Sequence, residues 1–423
     1  MKPTTVSIVG LGKLGLPLAA VMAERGLGVI GVDIDQERVD AINDGRAPFF
    51  EPGLEGLLPI LATTNITQAV LHTDITFVIV PTPSMSTGAF SLKYVLPACR
   101  EIGEALGLKD GYHVVVIAST VMPGACAGPI VMELEKSSGK SAVRDFGIAH
   151  VPEFVALGSV VDNFRSPDFV LIGADDERPR KIVNALYRKF LGLDPPILMM
   201  SLVNAELSKI ALNCYLTTKI SFANQMAGIC EKIPGTSVNT VTTALGLDSR
   251  IEPEYFKGAA PFGGPCFPRD VRALTALAWG VEADAQLNHA VGEFNEAYMR
   301  RLIDRALDEL NQVRPLGRVG VLGLAFKPGT DCTMDSPGME LLYRLDGDYG
   351  AMGYDPLVWI DGRSCGEAQD VADESEVVVV TTADVRWRAV RWHSGQTVID
   401  VWRVLDGDNV REAGAKYVAV GVG

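Results

Sequence analysis

The chain has 423 residues, 48% of them hydrophobic and 21% charged, with a formal net charge of −14. That length suffices for two or three domains with substantial cores, and the composition excludes disordered and fibrous classes. The acidic balance speaks against nucleic-acid binding, no apolar run reaches the roughly 18 residues of a membrane span, and seven scattered cysteines make no disulfide framework.

The N-terminal "MKPTTVSIVG" runs almost directly into a strand and leaves no room for a signal peptide, so a reduced cytoplasm is the expected location. "VSIVGLGKLG" (6–15) is an apolar run followed by Gly10-x-Gly12-x-x-Gly15. Residues 16–25 suit a helix that ends at Gly26. A second apolar run leads to Asp33, eighteen residues beyond Gly15. Strand, glycine turn, helix, strand and acid together form the dinucleotide fingerprint, in which the glycines let a pyrophosphate approach the helix start and the carboxylate accepts from ribose hydroxyls. An Asp at that position repels a ribose phosphate, so NAD is expected rather than NADP. Strand-like runs at 75–83, 113–120, 168–173 and 196–200, separated by helix-like stretches, predict a doubly wound parallel sheet. The turns "PTPS" and "STVMPG" lie beyond strand ends, where such sheets bind ligands or where ordinary loops run.

Residues 201–233 then read as one long helix, free of Gly and Pro until Gly228. Leu207, Ile210, Ala211 and Cys214 form an apolar stripe. Glu206, Lys209, Asn213 and Thr217 form a polar one, which predicts a mostly buried helix with one polar face lining a cleft. The loop "PFGGPCFPRD" (261–270) holds three prolines, two glycines and one cysteine. It is an irregular segment that reads neither as helix nor as strand, and serves either as a packed turn or as a chemical site. From residue 317 the early pattern restarts in "GRVGVLGLAFKPGTD", with the third glycine missing, followed by "GYDP", "EVVVVTTAD" and "QTVIDVWRVLD". This predicts a second, smaller Rossmann-like domain. Lys327 in its first turn is either a phosphate contact or a solvated lysine. The fold class is thus α/β, two Rossmann-like doubly wound domains joined by a long central helix and a helical dimerisation region. The expected divisions are 1–200, 201–305 with the cysteine loop, and 306–423.

Nine segments in order, "GLGKLGLP", "EPGL", "VPTP", "STVMPG", "PEF", "AELSKIALNCYLTTKISFANQ", "GGPCFPRD", "FKPGTD" and "YDP", make the chain resemble the UDP-glucose/GDP-mannose dehydrogenase family over nearly its whole length. The resemblance implies NAD-dependent oxidation of a nucleotide sugar at carbon 6 to a carboxylate, with UDP-glucose the leading substrate. It places the nucleophile at Cys266, with Lys209, Asn213, Asp270, Glu153 and Thr120 as the other catalytic residues. It places the cofactor at Gly10, Gly12, Lys13, Leu14, Gly15, Asp33, Arg38, Pro81, Thr82, Ser119, Thr120 and Arg269. Substrate contacts are implied for Phe154, Lys209, Asn213, Arg250, Tyr255, Lys257, Phe262, Gly263, Phe326, Lys327 and Arg403. It also implies a homodimer or higher homo-oligomer, with Arg250 reaching the neighbouring site. No metal, nucleic-acid or membrane partner is expected.

The sequence departs from the family pattern in three places. Leu157 stands where relatives carry a second glutamate after "PEF". "TDCTMDSP" has Cys332 and Met334 in place of an aspartate and a cofactor-side arginine, and Trp402 replaces a common arginine, with Arg403 adjacent. One lost charge-assisted hydrogen bond costs about 1.5–3 kcal/mol, enough to weaken recognition without removing the reaction. Other UDP-hexoses, UDP-N-acetylhexosamines and GDP-mannose remain open as substrates. So does a catalytically silent nucleotide-binding protein, whereas a 2-hydroxy-acid dehydrogenase would need a catalytic histidine for which there is no obvious candidate.

Overall fold

The computed structural model describes residues 4–57, 60–191, 195–312 and 317–423; the first three residues of the N-terminal run lie outside them. The chain divides into two compact units, residues 1–211 and 212–423, and the boundary falls inside the helix Leu202–Cys230.

In the first unit, β1 (Thr5–Val9), β2 (Gly28–Val32), β3 (Leu61–Thr63), β4 (Ile75–Val78), β5 (His113–Ile117), β6 (Phe146–His150), β7 (Val170–Gly173) and β8 (Ile197–Met200) form one sheet in the order β3-β2-β1-β4-β5-β6-β7-β8. Successive strand residues point to opposite faces, and both faces are covered. Val6, Ile8, Ile75, Phe77, Val114 and Val116 enter one core. Val9, Val78, Val115 and Ile117 enter the other. This double burial is why the strands read as continuous apolar runs. Polar groups on the second face are paired: Ser7 bonds Thr73 and Thr76, and Thr76 bonds His113 Nε2 at 2.8 Å. Burial holds that imidazole neutral, with its pKa pushed down to about 3.

The expectation of a wholly parallel sheet needs one correction. β6 and β7 meet antiparallel at His150 and Gly173, while β7 and β8 are parallel to each other. The 151–169 connection carries only the short helix Val160–Arg165, which packs Val160, Val161 and Phe164 into the first core. A full crossover helix, which would return the chain parallel, is not built there.

In the second unit, β9 (Val319–Leu322), β10 (Met352–Tyr354), β11 (Val377–Val380), β12 (Thr397–Asp400) and β13 (Lys416–Ala419) form a parallel sheet in the order β10-β9-β11-β12-β13. Val319, Val321, Val377, Val379 and Ile399 face one core, which the helix Gln286–Gln312 covers with Leu302, Ala306 and Leu310 at helical spacing. Leu322, Val378, Val380 and Val398 face the other. The predicted second Rossmann-like domain is therefore present.

Candidate active site

The three glycines after β1 serve three different needs. Gly10 has φ +97°, and a Cβ there would overlap the Ile79 carbonyl. A Cβ on Gly15 would overlap the Gly10 carbonyl, so its absence lets the helix Gly15–Glu24 start against the turn. A Cβ on Gly12 meets nothing within 4 Å. No protein contact demands glycine there, and the open side is the cradle that a pyrophosphate at a helix N-terminus would fill. Asp33 at the end of β2 accepts from Leu11 N–H at 2.8 Å, Asp35 N–H at 3.0 Å and Arg38 Nη1 at 3.0 Å, which orients its carboxylate at the fingerprint position. Leu14 occupies the position before the helix without a side-chain cap bond and packs on the first core, and Lys13 lies beside it, half-buried. These residues fit a dinucleotide. Gly12→Val is expected to leave thermal unfolding unchanged while NAD affinity falls roughly tenfold or more, the equivalent of ~1.4 kcal/mol; titration of bound NADH fluorescence checks it.

The turns after β4 and β5 are stitched to each other. Ser119 Oγ bonds the Val80 carbonyl at 2.7 Å and receives the Val80 N–H, and Thr82 Oγ1 donates to the Thr120 carbonyl at 2.8 Å. The hydroxyls of Thr82 and Ser119 thus hold the loops together, with Pro81 exposed between them and Thr120 half-buried. Glu206 anchors the second loop from the long helix, accepting from Gly124 N–H at 2.6 Å and Cys126 N–H at 2.8 Å. Burial raises its carboxyl above the ordinary range, and those two N–H bonds oppose the rise.

The polar stripe of the long helix, expected to line a cleft, is itself buried: Glu206, Lys209, Asn213 and Thr217 are at most 8% exposed. Leu207 of the predicted apolar stripe is instead 40% exposed. Within the first unit, Lys209 Nζ donates to the Glu153 carbonyl at 2.7 Å and lies 4.8 Å from the Phe154 ring, which packs on Phe169. Glu153 accepts from the Tyr187 hydroxyl at 3.2 Å. Burial raises its carboxyl to about 7, against the pull of the Tyr187 hydrogen bond and the Lys209 charge. Glu51 of "EPGL" holds the far end of this loop, taking Gly158 N–H at 3.0 Å and Val160 N–H at 2.8 Å. It supplies the cap that Ser159 does not make for the helix Val160–Arg165. Leu157 packs against the first core and carries no charge into the loop.

In the second unit, the cysteine loop turns into a helix sooner than its sequence suggests. Phe267–Gly280 is helical, with Cys266 as its N-cap and Pro268 in the first turn, where a missing N–H costs nothing. Two asparagines lace the segment before it. Asn224 accepts from Ala259 N–H and donates to the Ala260 carbonyl; Asn295 accepts from Phe262 N–H at 2.8 Å and donates to its carbonyl at 2.9 Å. Asn213 Nδ2 donates to Asp270 Oδ2 at 2.6 Å, and Arg269 Nε lies 3.5 Å from the other carboxylate oxygen. Cys266 is exposed at the positive end of its helix, where anionic charge is favoured, whereas Cys99, Cys126, Cys214 and Cys230 are buried. Burial, with Asp270 nearby, pushes the Cys214 thiol up to about 12.

The loop after β9 closes over the cysteine segment through backbone contacts. Gly264 N–H donates to the Met334 carbonyl at 2.9 Å, a Cβ on Gly263 would overlap the Asp335 carbonyl, and the Phe326 ring fills the space beside Gly264. Met334 contributes its carbonyl, and its side chain is exposed. Lys327 lies 5.8 Å from the Phe326 ring. The third glycine is present after all, as Gly338. A Cβ there would overlap the Gly323 carbonyl, as one on Gly15 would overlap that of Gly10. Asp355 repeats Asp33, accepting from Leu324, Ala325 and Leu357 N–H groups.

The remaining residues implied for substrate contact differ in their settings. Phe262 is buried, edge-on to Phe267; Tyr255, in a left-handed conformation at φ +58°, also packs edge-on to Phe267. Lys257 is exposed, and Arg250 is exposed and pairs with Asp248. Arg403 gives its guanidinium to the Val401 and Val420 carbonyls and to Asn239, and Trp402 donates to the Thr381 carbonyl at 2.7 Å.

The fingerprint turn, the oriented Asp33 and the parallel sheet define a dinucleotide-dependent α/β oxidoreductase. Residues 4–191 match the NAD binding domain, and residues 203–297 the central domain, of the UDP-glucose/GDP-mannose dehydrogenase family. The chain is 36% identical to the UDP-glucose 6-dehydrogenase AglM of Haloferax volcanii, over 97% of this chain and 99% of that protein. It is 32% identical to a GDP-mannose 6-dehydrogenase of Pseudomonas syringae, over 94% and 95%. A UDP-glucose dehydrogenase structure from Pyrobaculum islandicum superposes with a TM-score of 0.89 at 32% identity, covering 100% of this chain and 98% of that one. The chain belongs to the UDP-glucose/GDP-mannose dehydrogenase family and is an NAD-dependent nucleotide-sugar dehydrogenase.

Proposed function

We propose that the protein oxidises carbon 6 of UDP-glucose to the carboxylate through a covalent intermediate on Cys266. The observation that carries this reading is the setting of that thiol, exposed at a helix start just after a segment whose backbone Asn224 and Asn295 each bond twice. NAD, when bound, accepts the hydrides. The residues of the chain manage the protons and the carbonyl. The alcohol loses a hydride and a proton to become an aldehyde. The Cys266 sulfur adds to that carbonyl, giving a thiohemiacetal whose second hydride and hydroxyl proton leave to form a thioester. Water then cleaves the carbon–sulfur bond, yielding carboxylate and free thiol. Lys209 and Asn213, one turn apart on one helix, stabilise the oxyanions. Asp270, held by Asn213, orients water. Glu153, with a pKa of about 7, is poised as the base for hydrolysis. Thr120 positions water or substrate.

UDP-glucose is favoured by the 36% identity to AglM across nearly the whole chain, against 32% to the GDP-mannose enzyme. We read residues 1–200, 201–305 and 306–423 as the cofactor, central and sugar-nucleotide segments, and seven free cysteines suit a reduced cytoplasm. A homodimer seam is supported by Val203, Leu207, Tyr215, Phe222 and Ile229, an exposed apolar face on the long helix. The expected result with a panel of UDP-glucose, UDP-N-acetylglucosamine, UDP-N-acetylmannosamine and GDP-mannose is the highest kcat/KM for UDP-glucose. A preference of tenfold or more for another sugar, equal to about 1.4 kcal/mol, overturns the substrate assignment.

A further inference from the structure

The Tyr187 hydroxyl is the one side-chain donor seen on the Glu153 carboxyl among the described residues, at 3.2 Å. Tyr187 is held for that task. It sits at the buried face of the helix Glu177–Phe190, 3% exposed, with its ring 6.4 Å from Phe77 and edge-on to Phe190 at 5.8 Å. A ring wedged between two aromatics cannot swing its hydroxyl away without opening the core. Beside the pair lies a cavity of about 30 Å³, room for one water. Apart from Glu153 and Tyr187, its only polar side chain among the described residues is Asn163, which accepts from Ala156 N–H.

We propose that Tyr187 is a positioning residue for hydrolysis, fixing the Glu153 carboxylate in the orientation and ionisation state in which it takes the proton of the attacking water. This rests on the reading of Glu153 as the base. Burial raises the Tyr187 hydroxyl well above its ordinary range, so it remains a donor across the working pH range. A donated hydrogen bond favours the carboxylate over the acid. Two cationic or titratable groups bear on Glu153, Tyr187 from its helix and Lys209 from the long helix, and both lower its pKa against the rise due to burial. Losing the tyrosine hydroxyl therefore moves the pKa upward.

The test is the pH profile of the hydrolytic stage, followed by quenched-flow release of carboxylate from enzyme loaded with UDP-glucose and NAD, in the wild type, Tyr187→Phe, Glu153→Gln and the double variant. In the wild type the rate should fall below about pH 7. In Tyr187→Phe this limb should move up by roughly half to one pH unit, the size of one net hydrogen bond. Glu153→Gln should slow the stage and remove the limb, and adding Tyr187→Phe should then change nothing further. Should Glu153→Gln leave hydrolysis unaffected, the reading of Glu153 fails and takes this proposal with it. Should Glu153→Gln slow hydrolysis while Tyr187→Phe leaves the limb in place, the base reading stands and the role of Tyr187 is overturned. Unchanged NAD affinity and unfolding temperature in Tyr187→Phe separate positioning from general loosening of the core.

Discussion

Cys266→Ala is expected to lower steady-state NADH formation from nucleotide sugar by more than roughly 10³-fold, the scale seen when one member of a cooperating catalytic unit is removed. The wild type should form two NADH per sugar consumed, because converting an alcohol to an acid removes four electrons. Without the thiol, an aldehyde formed in the first oxidation has no sulfur to trap it, and it is reduced back before water can intervene. The variant should keep its NAD affinity, since the contacts that shape the glycine turn and orient Asp33 do not involve Cys266. It should also keep its unfolding temperature. The thiol is exposed, and the asparagine pairs that hold its loop are made to backbone groups of residues 259–262. A wild-type ratio of one NADH per sugar would end the thioester mechanism outright. Undiminished turnover in the variant would assign the second oxidation to a free aldehyde or its hydrate.

The sequence and the structure agree best where the signal is local. The turn at Gly10, Gly12 and Gly15 is read directly from spacing, because all three fall on one short strand-turn-helix stretch, although Gly10 also answers to the Ile79 carbonyl and Gly12 to no protein contact. The same logic fails at Gly338, because the loop 324–336 is inserted between a glycine turn and its helix. Counting five residues from Gly323 finds no partner, while the packing of Gly338 on the Gly323 carbonyl is unchanged in kind. The polar stripe of the long helix is legible from its period, but the destinations of its members are not. Glu206 anchors a loop some eighty positions earlier in the chain, and Thr217 only bonds back to the Cys214 carbonyl. Glu51, Asn224, Asn295 and Tyr187 escape a sequence reading for one reason. Each acts on a segment distant along the chain, Glu51 on Gly158 and Asn295 on Phe262, and only the fold brings such pairs together. "EPGL" and "SFANQ" stand in the sequence as motifs whose tasks only the fold reveals. Met334 meets Gly264 through its carbonyl, which any residue provides, so that contact is independent of the arginine that the family pattern carries at this position.

Lys209→Ala is the second change expected to act strongly, lowering kcat by roughly 10²–10³, the cost of removing one oxyanion donor from a preorganised site. KM for the sugar nucleotide should move far less, because the ammonium is placed to meet charge that develops during reaction. Two functions are combined in this side chain. Its Nζ ties the Glu153 carbonyl at 2.7 Å, and its charge lowers the pKa of the Glu153 carboxyl below what burial alone would set. Removing the charge should therefore also shift the acid limb of hydrolysis above pH 7. Lys209→Arg retains a cation but must fit a larger planar group into a site only 8% exposed, beside the Phe154 ring, and should restore little. A small primary amine added to Lys209→Ala supplies the charge without the tether. Partial recovery of kcat with ethylamine would show that the charge acts on the reaction. If ethylamine leaves kcat unchanged while Glu153→Gln and Lys209→Ala have equal, non-additive effects, the lysine acts chiefly by holding the loop of Glu153, and the oxyanion role falls to Asn213 alone.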